Sequence, residues 1–203
     1  MPLIETVLFD MDGVLSHYDF ARRLEVLAAG TGLTATEIDE RIFRSGFDAR
    51  ADDGAYTADQ YMAEFSRLLG VPVSIALWLD ARRAGMSIDL EMLALARGLA
   101  EHTTIAMLTN NGPVLRAHLP AVAPAIVETF GERAFFSCQF ATGKTKPDVF
   151  GLVLAAVGGE PERTLFVDDT TDYLENARVA GLQIHHFRGI DRLRDELSAL
   201  GVL

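Results

Sequence analysis

The chain contains a single cysteine, Cys138, and its cationic side chains are scarce. One cysteine cannot form an internal disulfide, so we expect a reducing compartment, the cytoplasm. Lysine and arginine number 18 against 29 aspartates and glutamates, which gives a formal net charge of −11. This acidic balance argues against nucleic acid and against an anionic membrane surface as partners. A site for an anionic substrate would therefore need a local cation.

Long apolar runs are missing as well. No stretch approaches the ~20 apolar residues that a membrane-spanning helix needs. Glu5 and Asp10 break the first apolar segment, so we expect no signal peptide. No cluster of histidine or cysteine has the spacing of a zinc site. The 203 residues suffice for one large domain, or for a domain that carries a sizeable insertion.

Short apolar segments alternate with helical ones in the second half of the chain. After a first strand at residues 7–9, further strands are predicted at 103–108, 134–137, 164–167 and 183–187. Helices are predicted at 113–123, 147–158, 171–180 and 190–200. Strands that alternate with helices are typical of an α/β fold, here a Rossmann-like, doubly wound parallel sheet.

A long helical segment interrupts this alternation after the first strand. We expect an α/β core made of residues 1–14 and 88–203, with an all-helical cap of residues 15–87 inserted into it. An insertion beside a site at a strand end is typical of a cap or lid.

Local signals mark the helix starts within this insertion. Thr34-x-x-Glu37 and Thr57-x-x-Gln60 have the capping-box pattern. Residues 47–56, which include Asp-Asp-Gly, are expected to form a loop, and Ser87 is expected to cap a helix that runs to about residue 101.

Two carboxylates end the first strand. The apolar run Val7-Leu8-Phe9 is followed by Asp10-Met11-Asp12-Gly13, and alternation along an extended chain lets Asp10 and Asp12 point the same way. Ligand sites of open parallel sheets lie at the carboxyl ends of the strands. A plain turn would also explain the pair, since aspartate and glycine favour turns. The interpretation therefore depends on what the other strands end with.

Two later strands also end in polar residues. Thr109-Asn110-Asn111 follows the strand at 103–108; these residues could cap a helix, or they could present a hydroxyl and backbone N–H groups to an anion. Asp168 and Asp169 follow the strand at 164–167. Helix capping explains one of these aspartates but not two.

Two lysines precede a predicted helix. Lys146 stands directly before Pro147 at the helix start, where a cation is disfavoured by ~0.3–1 kcal/mol. A lysine at that position indicates an anion that it can meet. By the same argument Lys144 is of less interest and is expected to be a solvated loop charge.

If these strands are neighbours, four carboxylates converge. Two unit charges 4 Å apart repel by about 4 kcal/mol at an effective dielectric of ~20, against a typical net stability of ~5–15 kcal/mol. Either some carboxyls are protonated or a cation neutralises them. Oxygen ligands favour a hard ion such as Mg²⁺, and Lys146 with the Thr109 hydroxyl would complete a phosphoryl-binding site.

Four segments, in order along the chain, resemble the motifs of the haloacid dehalogenase superfamily of aspartyl phosphatases. They are Asp10-Met11-Asp12-Gly13-Val14, Thr109-Asn110-Asn111, Lys146-Pro147-Asp148, and Asp168-Asp169 leading to residues 175–181. The helical insertion is similar to the helical cap of subfamily I. The Thr-Asn-Asn form and the segment around Gly54 are most similar to the glucose-1-phosphate phosphatase-like proteins and to the N-terminal phosphatase of epoxide hydrolases.

The resemblance implies a Mg²⁺-dependent phosphatase that hydrolyses a small phosphorylated metabolite through an aspartyl-phosphate. It implies that Asp10 is the nucleophile and that Asp12 is the general acid and then the general base. The implied Mg²⁺ ligands are Asp10, the Asp12 backbone carbonyl, Asp169, and Asp168 directly or through water. The implied phosphoryl-binding groups are Thr109, the Asn110 backbone N–H and Lys146. Tyr173 departs from the pattern, since many relatives have asparagine there.

Other functions remain open. A sugar phosphomutase has the same core, and a catalytically inactive member would bind a phosphorylated ligand only. Dehalogenases lack the second aspartate of the first motif. This chain has Asp12 at that position, which disfavours a dehalogenase. A receiver domain is disfavoured because receivers have their acceptor aspartate in the middle of the chain. A Rossmann cofactor binder is disfavoured because no G-x-G-x-x-G follows the first strand. Candidates for reading the substrate from the cap are His17, Tyr18, Arg22, Arg44, Phe47, Arg50 and Trp78.

Overall fold

The computed structural model describes residues 4–203, so the first three residues of the predicted core lie outside it. Five strands form a parallel sheet in the order β5-β4-β1-β6-β7, and two form the antiparallel pair β2-β3. The strands are β1 Thr6–Phe9, β2 Ser16–Tyr18, β3 Met86–Ile88, β4 Thr104–Thr109, β5 Ala134–Phe136, β6 Thr164–Asp168 and β7 Gln183–His186. The predicted α/β fold class is confirmed.

Helices flank the sheet and fill the insertion. The α-helices are α1 Phe20–Thr31, α2 Ala35–Ile38, α3 Phe47–Asp52, α4 Ala58–Leu69, α5 Ile75–Ala84, α6 Leu90–Leu99, α7 Pro113–Val122, α8 Pro124–Phe130, α9 Asp148–Val157, α10 Thr171–Val179 and α11 Ile190–Ala199. One π-helical turn, Asp39–Phe43, follows α2, and 3₁₀ turns lie at Gly131–Arg133, Ser137–Gln139 and Pro161–Arg163.

The buried strands divide their side chains between two apolar layers. Val7 and Phe9 of β1 belong to one cluster of buried residues, and Leu8 belongs to the other. Strand β6 alternates in the same way, with Val167 in the first cluster and Phe166 in the second. A sheet covered on both faces is what near-continuous apolar strands favour.

Strand β1 lies at the topological switch point. It pairs with β4 on one side and with β6 on the other, so that Phe9 is level with both Met107 and Val167. The polar residues that end these three strands or directly follow them therefore meet at one edge of the sheet, where ligands of doubly wound sheets bind.

Helices α1 to α5, the helical insert, lie between β2 and β3. Both predicted capping boxes are present, Thr34 with Glu37 and Thr57 with Gln60. Helices α4 and α5 of the insert pack on α7 of the core. The assignment of residues 15–87 as a separate cap domain stays a prediction.

Two local predictions in this region were wrong, one of them only in part. Residues 53–56 of the predicted loop are not helical, but residues 47–52 form α3, because Phe47 and Ala51 lie four residues apart and are both fully buried on one helix face. Ser87 does not cap a helix but pairs with His17 in the β2-β3 ribbon. Asp89 caps α6 instead, since its side chain accepts from two backbone N–H groups of the first turn.

Among residues 4–203, we find no helix whose length and apolar character would let it cross a bilayer.

Candidate active site

Asp10 directly follows β1 at the centre of the sheet edge and is 5% exposed. The Lys144 Nζ lies 2.7 Å from Asp10 Oδ1 and 2.7 Å from Asp168 Oδ2. Lys144 is itself only 1% exposed, and its ammonium lies 4.8 Å from the centroid of the Tyr173 ring. A buried ammonium thus joins carboxylates that come from two adjacent strands.

The expectation that Lys144 is a solvated loop charge was wrong, and the structure does not bring Lys146 to the carboxylates. Lys146 is exposed, whereas the backbone of Lys144 is held from both sides. Its N–H donates to Asn110 Oδ1 at 2.9 Å, and its carbonyl accepts from Asn176 Nδ2 at 3.0 Å. The dipole argument failed because the lysine meets side-chain carboxylates of other strands rather than an anion at its own helix.

Electrostatics in this cluster favour a charged lysine. Burial alone would lower the pKa of Lys144, but the Asp10 and Asp168 carboxylates outweigh it and raise that pKa. Burial raises the pKa of Asp10 from 3.8 to about 7, and the Asp168 and Asp12 carboxylates add to the rise while Lys144 opposes it. Asp10 therefore titrates near neutral pH.

Three carboxylates offer a place for a cation. Asp10, Asp168 and Asp169 each present a carboxylate oxygen, and these oxygens all lie within 4.8 Å of one another. A set made only of oxygen donors fits a hard ion such as Mg²⁺. Gly13, with φ +98°, makes room for this arrangement, because a Cβ there would lie 2.4 Å from Asp169 Oδ2.

Asp12 has a different environment from Asp10. Its Oδ2 accepts from Arg82 Nη2 at 2.5 Å and from Asn111 Nδ2 at 3.0 Å, and its Oδ1 accepts from Ser16 Oγ at 3.0 Å. Burial opposes ionisation, yet Arg82 and the two hydrogen-bond donors hold the pKa of Asp12 below its usual value. Two carboxyls whose pKa values are pushed apart are typical of catalytic pairs.

Thr109 ends β4 and is 1% exposed. Its Oγ1 accepts from Asn111 Nδ2 at 2.7 Å, while the side chain of Asn110 holds the Lys144 backbone. Helix α7 takes Gly112 as its N-cap, with no side-chain cap. The capping interpretation of these residues was therefore wrong, and the anion-binding one stays a prediction.

Arg82 is a residue that sequence analysis missed. It lies on α5 of the helical insert, is 1% exposed, and its guanidinium carbon is 4.4 Å from the centroid of the Tyr18 ring. A signal was present in the sequence: Arg82 follows Trp78 by four residues and so shares the buried face of α5.

A cleft of about 170 Å³ lies between the helical insert and the sheet edge. Its lining residues are Asp12, Tyr18, Phe20, Arg23, Phe43, Asp48, Asp52, Arg82, Asn110 and Asn111. Of the seven cap residues singled out from sequence, Tyr18 belongs to this lining. Four of them are exposed, namely His17, Arg22, Arg44 and Arg50, and two are buried, namely Phe47 and Trp78.

Comparison with known proteins gives the family. The model of a family of hydrolases, the haloacid dehalogenase-like hydrolases, matches residues 4–181. Phosphatase MT3486 of Mycobacterium tuberculosis is 26% identical over 215 residues, which cover 98% of this chain and 96% of that protein. D-ribitol-5-phosphate phosphatase of Bacteroides thetaiotaomicron is 20% identical over 209 residues, which cover 98% of each protein.

Solved structures share the fold. A HAD family enzyme from Bacteroides thetaiotaomicron has a TM-score of 0.82 and 21% identity, and the match covers 96% of this chain and 99% of that one. The same enzyme in complex with magnesium and inorganic phosphate has a TM-score of 0.78 and 22% identity, with 90% and 93% covered. At these sequence identities the structural similarity shows a shared fold and nothing more.

Proposed function

Because the chain belongs to the haloacid dehalogenase-like hydrolase family, we propose that it is a Mg²⁺-dependent phosphatase that hydrolyses a small phosphate monoester through an aspartyl-phosphate on Asp10. One observation carries the proposal. The buried Lys144 ammonium lies 2.7 Å from both Asp10 and Asp168, at the strand ends where the oxygens of Asp10, Asp168 and Asp169 converge. The proposed nucleophile, the phosphoryl-binding cation and the metal ligands therefore lie next to one another.

The first half-reaction transfers the phosphoryl group to the protein. An Asp10 carboxylate oxygen forms a bond to phosphorus, the ester P–O bond breaks, and the protonated form of Asp12 gives its proton to the leaving oxygen. Asp12 recovers this proton from water in the second half-reaction. Lys144 holds Asp10 Oδ1 in a fixed orientation. Lys144, Thr109 and the backbone N–H of Asn110 bind the phosphoryl oxygens, with Lys144 in the place that sequence analysis assigned to Lys146.

The second half-reaction releases phosphate. Asp12 accepts a proton from a water molecule whose oxygen attacks phosphorus, and the bond between phosphorus and Asp10 breaks. Mg²⁺, when held by Asp10, Asp169, the Asp12 backbone carbonyl and Asp168, supplies positive charge that neutralises the phosphoryl group and its carboxylate neighbours. Arg82 favours the ionised form of Asp12, which is the form that can accept this proton.

The barrier to phosphate monoester hydrolysis is high enough to require several catalytic contributions. Hydrolysis of phosphate monoesters requires accelerations of up to ~10²¹, and general acid–base catalysis contributes only ~10²–10⁴. Covalent catalysis and preorganised charge must supply the rest. A lysine fixed by two carboxylates in a buried site is preorganised charge of this kind.

The test is hydrolysis of phenyl phosphate by the purified protein with Mg²⁺, with excess chelator, and after Asp10→Asn. We expect release of inorganic phosphate that chelator abolishes and that Asp10→Asn lowers at least ~10³-fold. Intact protein mass after rapid acid quench should show one added phosphoryl group, absent from Asp10→Asn. Full activity in chelator or in Asp10→Asn would overturn the proposal. Transfer of the phosphoryl group to a sugar instead of to water would identify a phosphomutase.

A further inference from the structure

The cleft above Asp12 is small. Its volume of about 170 Å³ lies below the ~300–1,000 Å³ of sites for drug-sized ligands. A leaving group of only a few carbon atoms therefore fits between the insert and Asp12.

Two buried arginines of the insert line this cleft. The guanidinium carbon of Arg23 lies 5.0 Å from the ring centroids of both Phe43 and Trp78, and Arg23 Nη1 donates to the Tyr18 hydroxyl at 2.9 Å. Only 5% of Arg23 and 1% of Arg82 are exposed. Within residues 4–203, the Nε of each has no hydrogen-bond partner, and a buried unsatisfied donor costs ~1–3 kcal/mol. Both arginines also belong to the lining of the cleft, so a ligand bound there lies against their side chains.

The acids of the cleft balance these arginines. Asp12, Asp48 and Asp52 face Arg23 and Arg82 across the same lining. Burial and the Asp48 charge raise the pKa of Asp52 well above its usual value, although Arg23 and Arg82 oppose the rise. The cleft consequently has no surplus of positive charge to offer a second anionic group.

We infer that the ester's leaving group is a small, uncharged polyol, and that Arg23 and Asp52 determine this specificity. Hydroxyl groups can accept from the arginines and donate to the carboxyl oxygens at once. An apolar leaving group, such as that of phenyl phosphate, would leave these polar groups unpaired, so its ester should react with a lower kcat/KM than a polyol ester. A carboxylate would share this cleft with the charge of Asp48, which lies in the same lining. The inference rests on the proposed phosphatase activity.

The test compares two esters of nearly equal shape, glycerol 3-phosphate and 3-phosphoglycerate, with phenyl phosphate as the reference. They differ mainly in a terminal hydroxymethyl group against a carboxylate. We expect kcat/KM for glycerol 3-phosphate to exceed that for 3-phosphoglycerate at least about tenfold, which is ~1.4 kcal/mol. Equal values, or a preference for 3-phosphoglycerate, would overturn the inference while phenyl phosphate turnover leaves the proposed function standing. No turnover of any of the three would overturn both.

Variants of the two specificity residues complete the test. Arg23→Met and Asp52→Ala should each lower the ratio of kcat/KM for glycerol 3-phosphate over phenyl phosphate about tenfold, mainly through KM. Matched controls on the exposed face of α4, Arg67→Met and Asp59→Ala, should leave that ratio unchanged. If Arg23→Met fails to fold, Asp52→Ala decides alone. An unchanged ratio in a folded Arg23 or Asp52 variant would overturn the inference.

Discussion

At the scale of single residues, the properties of the site depend on which charged side chains are in contact with each other. Lys144 is one of only two lysines in the chain, and it is the one that lies between buried carboxylates. A buried charge that loses its partner is costly, because neither water nor a counter-ion replaces the lost interaction. The two lysines therefore form a matched pair for experiment.

We expect Lys144→Met to lower kcat/KM for phenyl phosphate at least ~100-fold, since the proposed phosphoryl-binding cation is lost. It should also lower the free energy of unfolding by about 3–5 kcal/mol near neutral pH, because Asp10 and Asp168 are left facing each other. Lys146→Met is the control and should change neither quantity appreciably. Enzyme kinetics and urea unfolding measure both. Comparable losses in the two variants would contradict the assignment.

The raised pKa of Asp10 predicts a pH-dependent affinity for Mg²⁺. Its pKa of about 7 lies above the ordinary value of 3.8, so the protonated form dominates below pH 7 and a metal ligand must first lose its proton. We expect Mg²⁺ to bind more weakly as pH falls from 8 to 6, with up to about tenfold loss per pH unit below 7. Calorimetric titration in buffers of different ionisation enthalpy would detect the released proton. An affinity independent of pH would contradict the prediction.

The same shift has a consequence for stability without metal. Because the folded pKa lies above the unfolded one, protonated Asp10 stabilises the fold most below pH ~4, and this contribution is lost as pH rises through 7. Asp10→Asn should flatten that part of the pH profile of the unfolding free energy. An identical profile in the variant would contradict the link to Asp10.

At the scale of elements, α5 connects the helical insert to the sheet edge that holds Asp10 and Asp12. Successive residues of a helix point about 100° apart, so α5 directs Arg82 inward to Asp12 while its neighbour Arg83 is exposed and pairs with Asp80. The helix thus determines which arginine controls the charge of Asp12.

We expect Arg82→Met to lower kcat about 10–100-fold and to raise the pKa of Asp12. The direction follows because Arg82 lowers the pKa of Asp12, so that its removal lets this carboxyl keep its proton at higher pH. Arg83→Met is the matched control and should leave kcat and the pKa of Asp12 in place. Kinetics with phenyl phosphate and NMR titration of the Asp12 carboxyl measure the two quantities, and a pKa that stays fixed in Arg82→Met would contradict this role.

At the scale of the whole molecule, the insert closes onto core loops through a tight backbone contact. Gly54 follows α3 with φ +79°, and a Cβ there would lie 2.7 Å from the carbonyl oxygen of Cys138. The Ser137 hydroxyl also donates to the Asp52 carbonyl at 2.7 Å. These contacts set the position of α3, and with it Asp52, above the sheet edge.

We expect Gly54→Ala to lower the free energy of unfolding by about 1–3 kcal/mol and to raise KM for glycerol 3-phosphate. Gly70→Ala separates the two causes of the loss, because Gly70 has a similar φ of +75° with nothing within 4 Å of its Cβ position. That variant should show the cost of backbone strain without the change in KM. Equal effects of both substitutions on KM would contradict a docking role for Gly54.

The sequence alone predicted the α/β fold class and the strand ends that hold Asp10, Asp12, Asp168 and Asp169. Those features are local, since strand alternation and turn chemistry depend on near neighbours in the chain. It also predicted that an anion site in so acidic a protein needs a local cation, but it assigned that place to Lys146.

Only the tertiary structure decided which cation enters the site. Lys144 faces inward because Asn110 and Asn176, 34 residues before it and 32 after it, hold its backbone. Arg82 reaches Asp12 across 70 residues of sequence, and α3 is a helix because Phe47 and Ala51 find a buried surface to pack against. Contacts between distant segments form only when the chain folds, so no local pattern contains them.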